Sequence, residues 1–424
     1  MVVLRHRNGA ASQKCGFAIL AMCVLGIPIA IGALAPVIVY AETTFIPSLK
    51  FSEYYDTNIW FSPAQFLPPG TRLDDFATSL GGRVAMLYKE REIEVNLAGG
   101  ADFNTYAYNK GLNYINTRVE GTVKLDSWLQ PLAKGAQLRL ADMFRYTPES
   151  PAFLTGVKPG VVEDPFLRGI QSFRANTYAN TGSVNVLFPV FRDLSLNGKY
   201  SNSLIKVGSI LAATGTGASY FNTTVNTFSV GPQYQLTRAD SLDLSFQRSQ
   251  ISQTLSTGGV PIETVTQSVM ANYRTVGREW RFALSGGVTH ISLNDRAFPV
   301  GSIQLTTDPE RVTAVRLDLS RYAAPSFFFV PGALISNVGQ LAVSHKLSRL
   351  LTLQGNINYG QSESVPPGVK FTNFTAGGGL TYKLTKVLIL DLFYNYYNYH
   401  FDSTGLEYQV PRNMVGFSLT AEWK

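Results

Sequence analysis

From about residue 75 to the C-terminus, apolar and polar side chains alternate one by one in runs of 9 to 14 residues. Ile93, Val95 and Leu97 alternate with Glu92, Glu94 and Asn96, and Leu351, Leu353, Ile357 and Tyr359 with Thr352, Gln354, Asn356 and Asn358. Phe374, Ala376, Leu380 and Tyr382 alternate in the same way with Thr375, Thr381 and Lys383. A period of two is the signature of a strand with two unlike faces. Runs this long match a tilted strand that crosses a bilayer rather than the 5 or 6 residues usual in soluble sheets. The apolar face is therefore assigned to lipid and the polar face to a wet lumen.

The connections have their own rhythm. Short links at Lys89-Glu90-Arg91, Thr237-Arg238-Ala239, Val276-Gly277-Arg278, Ser348-Arg349 and Thr385-Lys386 alternate with long ones at 147–175, 203–220, 252–262, 362–370 and 401–411. Single-chain bacterial barrels have short turns on one side and long loops on the other, an asymmetry for which a soluble sandwich or propeller has no use. Aligning the short turns predicts strands at 47–58, 75–89, 91–105, 112–126, 135–146, 176–188, 193–203, 221–236, 240–251, 263–275, 278–292, 297–307, 311–322, 337–347, 350–361, 371–384, 387–400 and 412–423. The expected fold is an all-β, transmembrane antiparallel up-and-down β-barrel of 18 strands, with 16 as the runner-up. The element at 297–307 alternates most faintly, but without it the up-and-down order fails. An even count places both termini in the periplasm.

The first 41 residues read differently. Arg5, Arg7 and Lys14 precede an apolar stretch from Cys15 to Tyr40 that ends Val39-Tyr40-Ala41, the order of a secretory signal. The 26-residue apolar part leaves an uncleaved anchor as the alternative. A lipoprotein box at Leu20-Ala21-Met22-Cys23 is rejected, because Met is too large before the cysteine. The expected organisation is a signal peptide over 1–41 and one barrel domain over 42–424. Of 36 basic residues three leave with the signal, so the mature balance is 33 minus 29, or +4. Both cysteines, Cys15 and Cys23, leave too, which excludes disulfide, thiolate and Cys–metal chemistry from the rest of the chain.

Composition agrees with the pattern. Charged residues make up 15% of the chain, against about 25% in soluble proteins, and 26 Phe and 21 Tyr exclude a disordered chain. Past the signal no apolar run approaches the roughly 20 residues of a spanning helix. No basic stripe with interleaved aromatics points to nucleic acid.

The last strand alternates Val415, Phe417, Leu419, Ala421 and Trp423 with Gly416, Ser418, Thr420 and Glu422. It resembles the terminal signal that barrel assembly machinery recognises. The stretch Phe45-Ile46-Pro47-Ser48-Leu49-Lys50-Phe51-Ser52-Glu53-Tyr54-Tyr55-Asp56-Thr57-Asn58 resembles the start of a family of porin-like outer-membrane β-barrels associated with exopolysaccharide and PEP-CTERM (exosortase) systems. That resemblance implies a bacterial outer-membrane location and a part in surface-polysaccharide export. The partners it implies are outer-membrane lipid, assembly machinery, polysaccharide and export-system proteins. It carries over no functional residues.

No HExxH, CxxC, GxxxxGK or GxSxG pattern occurs, so no catalytic residue, cofactor or metal is expected. His290 and His400 fall near the outer strand ends and His345 near the opposite rim, too far apart to share a site. Trp280, Tyr382, Tyr394, Tyr396 and Trp423 read as interfacial girdles, whereas Phe393 and Tyr397 stand on the polar face. The glycine runs Gly81-Gly82, Gly99-Gly100, Gly286-Gly287 and Gly377-Gly378-Gly379 read as relief of curvature in a closing sheet. The polar face places Glu92, Glu94, Asp243, Asp318 and Asp391 in the lumen against Arg118, Lys124, Arg139, Arg274, Arg281, Arg316 and Lys383. Burying that many charges dry would cost several kcal/mol each, so the lumen is expected to hold water. The mixed signs suit neutral or weakly anionic solutes such as sugars. Loop 147–175, with Pro148, Pro151, Pro159 and Pro165, is expected to fold over or into the pore. The functional expectation is a polar-lumen channel for hydrophilic solutes linked to exopolysaccharide export; the alternative is a structural or assembly platform with a plugged lumen.

Cleavage after Ala41 is the first prediction, and the intact mass of the membrane-extracted protein measures it. A chain that keeps Met1–Ala41 carries an anchor instead.

Overall fold

The alternating segments form eighteen antiparallel strands in a computed structural model that describes residues 42–90, 92–148, 175–210, 220–326, 331–403 and 406–423. In chain order they are β1 (Glu42–Asp56), β2 (Asp75–Lys89), β3 (Glu94–Tyr106), β4 (Tyr114–Lys124), β5 (Gln137–Thr147), β6 (Ala175–Pro189), β7 (Leu194–Ile210), β8 (Phe221–Gln235) and β9 (Asp240–Leu255). There follow β10 (Ile262–Val276), β11 (Trp280–Ile291), β12 (Arg296–Thr307), β13 (Thr313–Pro325), β14 (Ala333–Lys346), β15 (Leu351–Val365), β16 (Val369–Lys383), β17 (Leu388–Ser403) and β18 (Leu406–Glu422). Each strand pairs with the next, and β1 also pairs with β18 from Ser48↔Glu422 to Asp56↔Met414, so the sheet closes on itself. The count of eighteen stands, and the faint element at 297–307 is β12.

The strand ends at one side of the barrel need correction. β7, β9 and β15 run four to seven residues past their expected ends, and β14 and β18 begin four and six residues early. Loops expected at 252–262, 362–370 and 401–411 are in large part hairpin. Outside the apolar belt the apolar positions of several strands move from the outward to the inward face, which breaks the alternation and reads as loop in the sequence, yet the backbone goes on pairing. At the other side the links stay short except that between β4 and β5, residues 125–136, which holds a helical turn at Asp126–Leu129, and both described chain ends lie there. These two sides are the loop end and the turn end below.

Outward positions are apolar and open over the belt: Leu49, Leu80, Val119, Val269, Ile357 and Val415 are each about half exposed. An apolar surface that encircles the molecule suits hydrocarbon and not water. Trp280, Tyr382 and Trp423 stand at its turn-end border, whereas Tyr394 and Tyr396 sit mid-strand on β17.

The seam between first and last strands carries two special contacts. Gly416 lies opposite Tyr54, where a Cβ would come within 2.4 Å of the Glu53 carbonyl oxygen. At the loop end of the seam, Arg412 Nε donates to Asp56 Oδ1 and Oδ2 at 2.8 and 3.0 Å, and Nη2 donates to Oδ2 as well. Both side chains are at most 2% exposed. Removing one partner of such a pair strands the other charge, at a cost of about 3–5 kcal/mol, whereas replacing both by apolar groups is close to neutral. Asp56→Ala is therefore expected to lower unfolding stability in detergent by about that amount, and Asp56→Ala/Arg412→Leu to recover most of it. Denaturant titration of the three chains measures both.

Candidate functional site

Inward positions build a cavity of about 1900 Å³ along the barrel axis, lined mainly by Ser, Thr, Asn, Gln and charged groups. Both signs are present, but they are unevenly distributed around the wall. The wall from β1 to β7 contributes six bases, Lys50, Arg83, Arg118, Arg139, Arg145 and Lys199, against Asp102, Glu120 and Asp142. The remaining wall contributes Arg316 and Arg321 against Asp318 and Asp391. The cavity thus carries a basic side and a nearly neutral one. Glu120 accepts from both Arg83 Nη2 and Arg118 Nη2, at 2.5 and 2.6 Å.

The twelve residues expected in the lumen divide into three groups. Arg118, Arg139, Arg316, Asp318 and Asp391 line the cavity. Asp318 is buried and accepts from Gln304 Nε2 at 3.1 Å, and Asp391 accepts from Thr381 Oγ1 at 2.5 Å. A second group stands toward the turn-end rim. Lys124 Nζ donates to Glu94 Oε1 at 2.6 Å, and Arg274 Nη2 lies 3.6 Å from Asp243, which also accepts from Asn272. Arg281 and Lys383 belong to this rim as the second residue of β11 and the last of β16. Glu92 is the correction: β3 begins at Glu94, so Glu92 lies exposed in the preceding turn and has no strand face. Lys50, Arg83, Asp102, Glu120, Asp142, Arg145, Lys199 and Arg321 were missed, although period two places Glu120 on the same face as Arg118.

The loop-end half of the lumen holds a large apolar cluster among buried polar groups such as Thr223 and Gln253. Phe61, from the β1–β2 connection, belongs to one buried cluster with Ala175, Ala179, Ile205 and Val207 of β6 and β7 and with Phe371, Tyr399, Phe401, Tyr408 and Val410 of β16–β18. β6 stands seven places from β17 around the ring of eighteen, so the cluster crosses the lumen. The connection, residues 57–74, is a strap folded inward; the expected strands left 59–74 as a gap, with no inward fold expected there. Asn58 turns it: its Nδ2 donates to the Ser62 carbonyl at 3.1 Å, while its own N–H donates to Asp56 Oδ1 at 3.0 Å. Phe61 adopts φ 54, a left-handed conformation unusual for an aromatic residue. Its ring lies 3.7 Å from the Arg412 guanidinium carbon, and Phe66 packs edge-on against Tyr408.

The strap returns along its own start. Ile59 N–H donates to the Leu73 carbonyl, and Trp60 Nε1 to the Arg72 carbonyl, both at 3.0 Å. Arg72 chelates Asp74 through Nε and Nη2 and lies 3.6 Å over the Tyr108 ring. The hydrogen bond from Arg72, aided by one from Tyr55, holds the Asp74 carboxyl below the usual carboxylate range. Buried Asp75 accepts from the backbone N–H groups of Tyr108 and Asn109 and so fixes the next loop beside the strap.

Phe393 lines the cavity and Tyr397 is buried beside Arg412. His290 bonds Asp295 and His400 lies near Glu407 at the loop end, whereas His345 bonds Thr313 at the turn end. Gly287 owes its place to a close approach, since a Cβ there would come within 2.0 Å of the Val269 carbonyl oxygen. Loop 147–175 lies almost wholly outside the described residues.

Residues 293–421, from just before β12 through nearly all of β18, match the family model "Putative beta-barrel porin 2". No curated protein matches the chain. Among solved structures, the outer membrane protein OpdK of Pseudomonas aeruginosa is similar at 10% identity and TM-score 0.45, over 90% of this chain and 99% of that one. OccAB2 of Acinetobacter baumannii is similar at 11% identity and TM-score 0.45, over 90% and 98%. The siderophore receptor PirA of Pseudomonas aeruginosa is similar at 7% and 0.43, over 90% and 80%. Likeness at these levels bears on neither cargo nor mechanism.

Because Asp74 titrates below a free carboxyl near 4, its tie to Arg72 is complete above that value and is lost as pH falls through the lower, folded value. The fluorescence of Trp60, in a chain whose other three tryptophans are Phe, is expected to hold steady from pH 7 to about 4 and to change only in stronger acid.

Proposed function

We propose that the protein is an outer-membrane channel through which hydrophilic solutes pass, with both termini in the periplasm and the strap at the outer face. The observation that carries this reading is the polar cavity of about 1900 Å³ inside a barrel whose outside is apolar. An aqueous lumen is what a barrel of this strand number leaves when its own loops do not fill it. The family match over β12–β18 supports the porin-like reading and the outer-membrane location. The alternating last strand up to Trp423 supports assembly by the barrel machinery. The resemblance of residues 45–58 to barrels of exopolysaccharide systems supports polysaccharide, or its export proteins, as cargo or partner.

A second reading, a platform barrel with a plugged lumen, draws on the apolar cluster that the strap carries across the loop end. Planar-bilayer recording separates the two. The intact chain is expected to give discrete conductance steps, and replacement of residues 60–72 by a short Gly-Ser link to raise the unit conductance roughly severalfold by widening the outlet. A correctly inserted chain that passes neither ions nor small sugars, with or without the strap, leaves the platform as the function.

A further inference from the structure

One junction in the wall is incomplete. β12 and β13 share only six paired residues, from Gly301↔Arg321 to Thr306↔Arg316, whereas every other neighbouring pair in the ring shares at least eight. Beyond Gly301 the two edges part, and each carries a proline, Pro299 in β12 and Pro325 in β13. Proline has no N–H to give to a ladder and is found at strand edges.

The parted strands overlap instead of meeting. Ile291 of β11 and Phe298 of β12 pack with Ala323, Ala333, Ile335 and Val365 of β13–β15. Phe298 shares the lumen face of β12 with Val300 and Ser302, while Ile335 lies on the face opposite to Leu334, which belongs to the cluster inside the barrel. The β11–β12 hairpin therefore laps over the outside of β13–β15.

The main cavity follows the overlap. Along β13 it touches six successive residues, Ser320 to Pro325, the longest such run in its lining, and those past Arg321 have no β12 partner, so an open strand edge faces the cavity there. A second cavity, about 300 Å³, lies between the hairpin and the outer face of β13–β15, and Arg321 lines both. Arg321 Nη1 donates to Asn337 Oδ1 at 3.2 Å. Around the second cavity stand Arg296, Arg321 and Lys370 against Glu363.

We propose that this lapped seam is a side portal between the lumen and the outer surface, with Arg321 at its throat, and that it passes anionic hydrophilic solutes. It rests on the channel reading. The strap cluster crosses the axial way at the loop end, whereas at the seam Arg321 reaches from the main cavity to the second one, beside the apolar packing of Ile291, Phe298, Ala323 and Ile335. Three bases against one acid set the sign of the solute.

The test uses the full chain in planar bilayers, with Cys15→Ser and Cys23→Ser so that an introduced cysteine is the only thiol. A negatively charged methanethiosulfonate reagent, added after the channel is open, is expected to roughly halve the conductance of Arg321→Cys and to lower its anion-over-cation permeability ratio. The same reagent on Gln65→Cys, an exposed strap position, is expected to leave both unchanged. Arg321→Lys keeps the anion preference and Arg321→Gln loses it. A conducting channel that responds at Gln65→Cys and not at Arg321→Cys overturns the portal and leaves the channel standing. An intact chain that passes no current overturns both.

Discussion

A backbone amide in hydrocarbon has no water to bond, so each one in the apolar belt must find a partner in the sheet. That constraint alone requires β18 to return to β1, because a free edge would leave a row of unpaired groups costing several kcal/mol apiece. Closure then creates the remaining problem. Eighteen strands enclose more space than inward side chains can fill, and the chain fills it in two ways. The turn-end part is lined by charged and amide groups around an open cavity, and the loop-end part holds the strap and its apolar cluster. Pairing is shortest at the junction of β12 and β13, toward the loop end, and is interrupted briefly between β8 and β9 at Gly231 and Pro232.

The same solvent logic decides where charge is tolerated. Arg83, Arg118 and Glu120 are each at least 30% exposed to the lumen, so their contacts are those of surface pairs, worth about 1 kcal/mol or less. Asp56 and Arg412 are dry and stand only because each satisfies the other and Phe61 covers the guanidinium. A wet lumen can thus hold a basic wall without a matched acid for every base. A dry one could not.

The strand count, the order and the two unlike ends were legible because one rule, period two, governs them all. β2 was placed to the residue. What escaped was a change of phase within strands. In β17, Leu390, Leu392 and Tyr394 point outward, whereas farther up Tyr397, Tyr399 and Phe401 point inward. Scanned at fixed phase, such a strand gives one good half and one apparent loop. The inversion marks the level where water replaces hydrocarbon outside and protein replaces water inside. The strap left a related trace: Ile59, Trp60, Phe61, Phe66 and Leu67 are too apolar for a loop in water. The Asp56–Arg412 pair had no local trace, since its partners lie 356 residues apart and meet only through closure. Likewise the lapped seam depends on which strands fail to pair, which no single segment encodes.

Asp56 and Arg412 also sit where the strap leaves the wall, and relative magnitudes decide what that arrangement can do. Lifting Phe61 from the guanidinium forfeits a cation–π contact of about 0.5–2 kcal/mol, together with the burial of one ring at about 1.5–3 kcal/mol. Breaking the ion pair itself would cost about 3–5 kcal/mol and leave a charge stranded. Those ranges overlap, so the strap is held about as firmly as the seam it covers. Asn58 joins the two, because its backbone N–H is tied to Asp56 and its side chain to the turn at Ser62. The chain thus couples the closure of the wall to the seating of the strap, and the link runs from Asp56 through Asn58 to Phe61 over the Arg412 guanidinium.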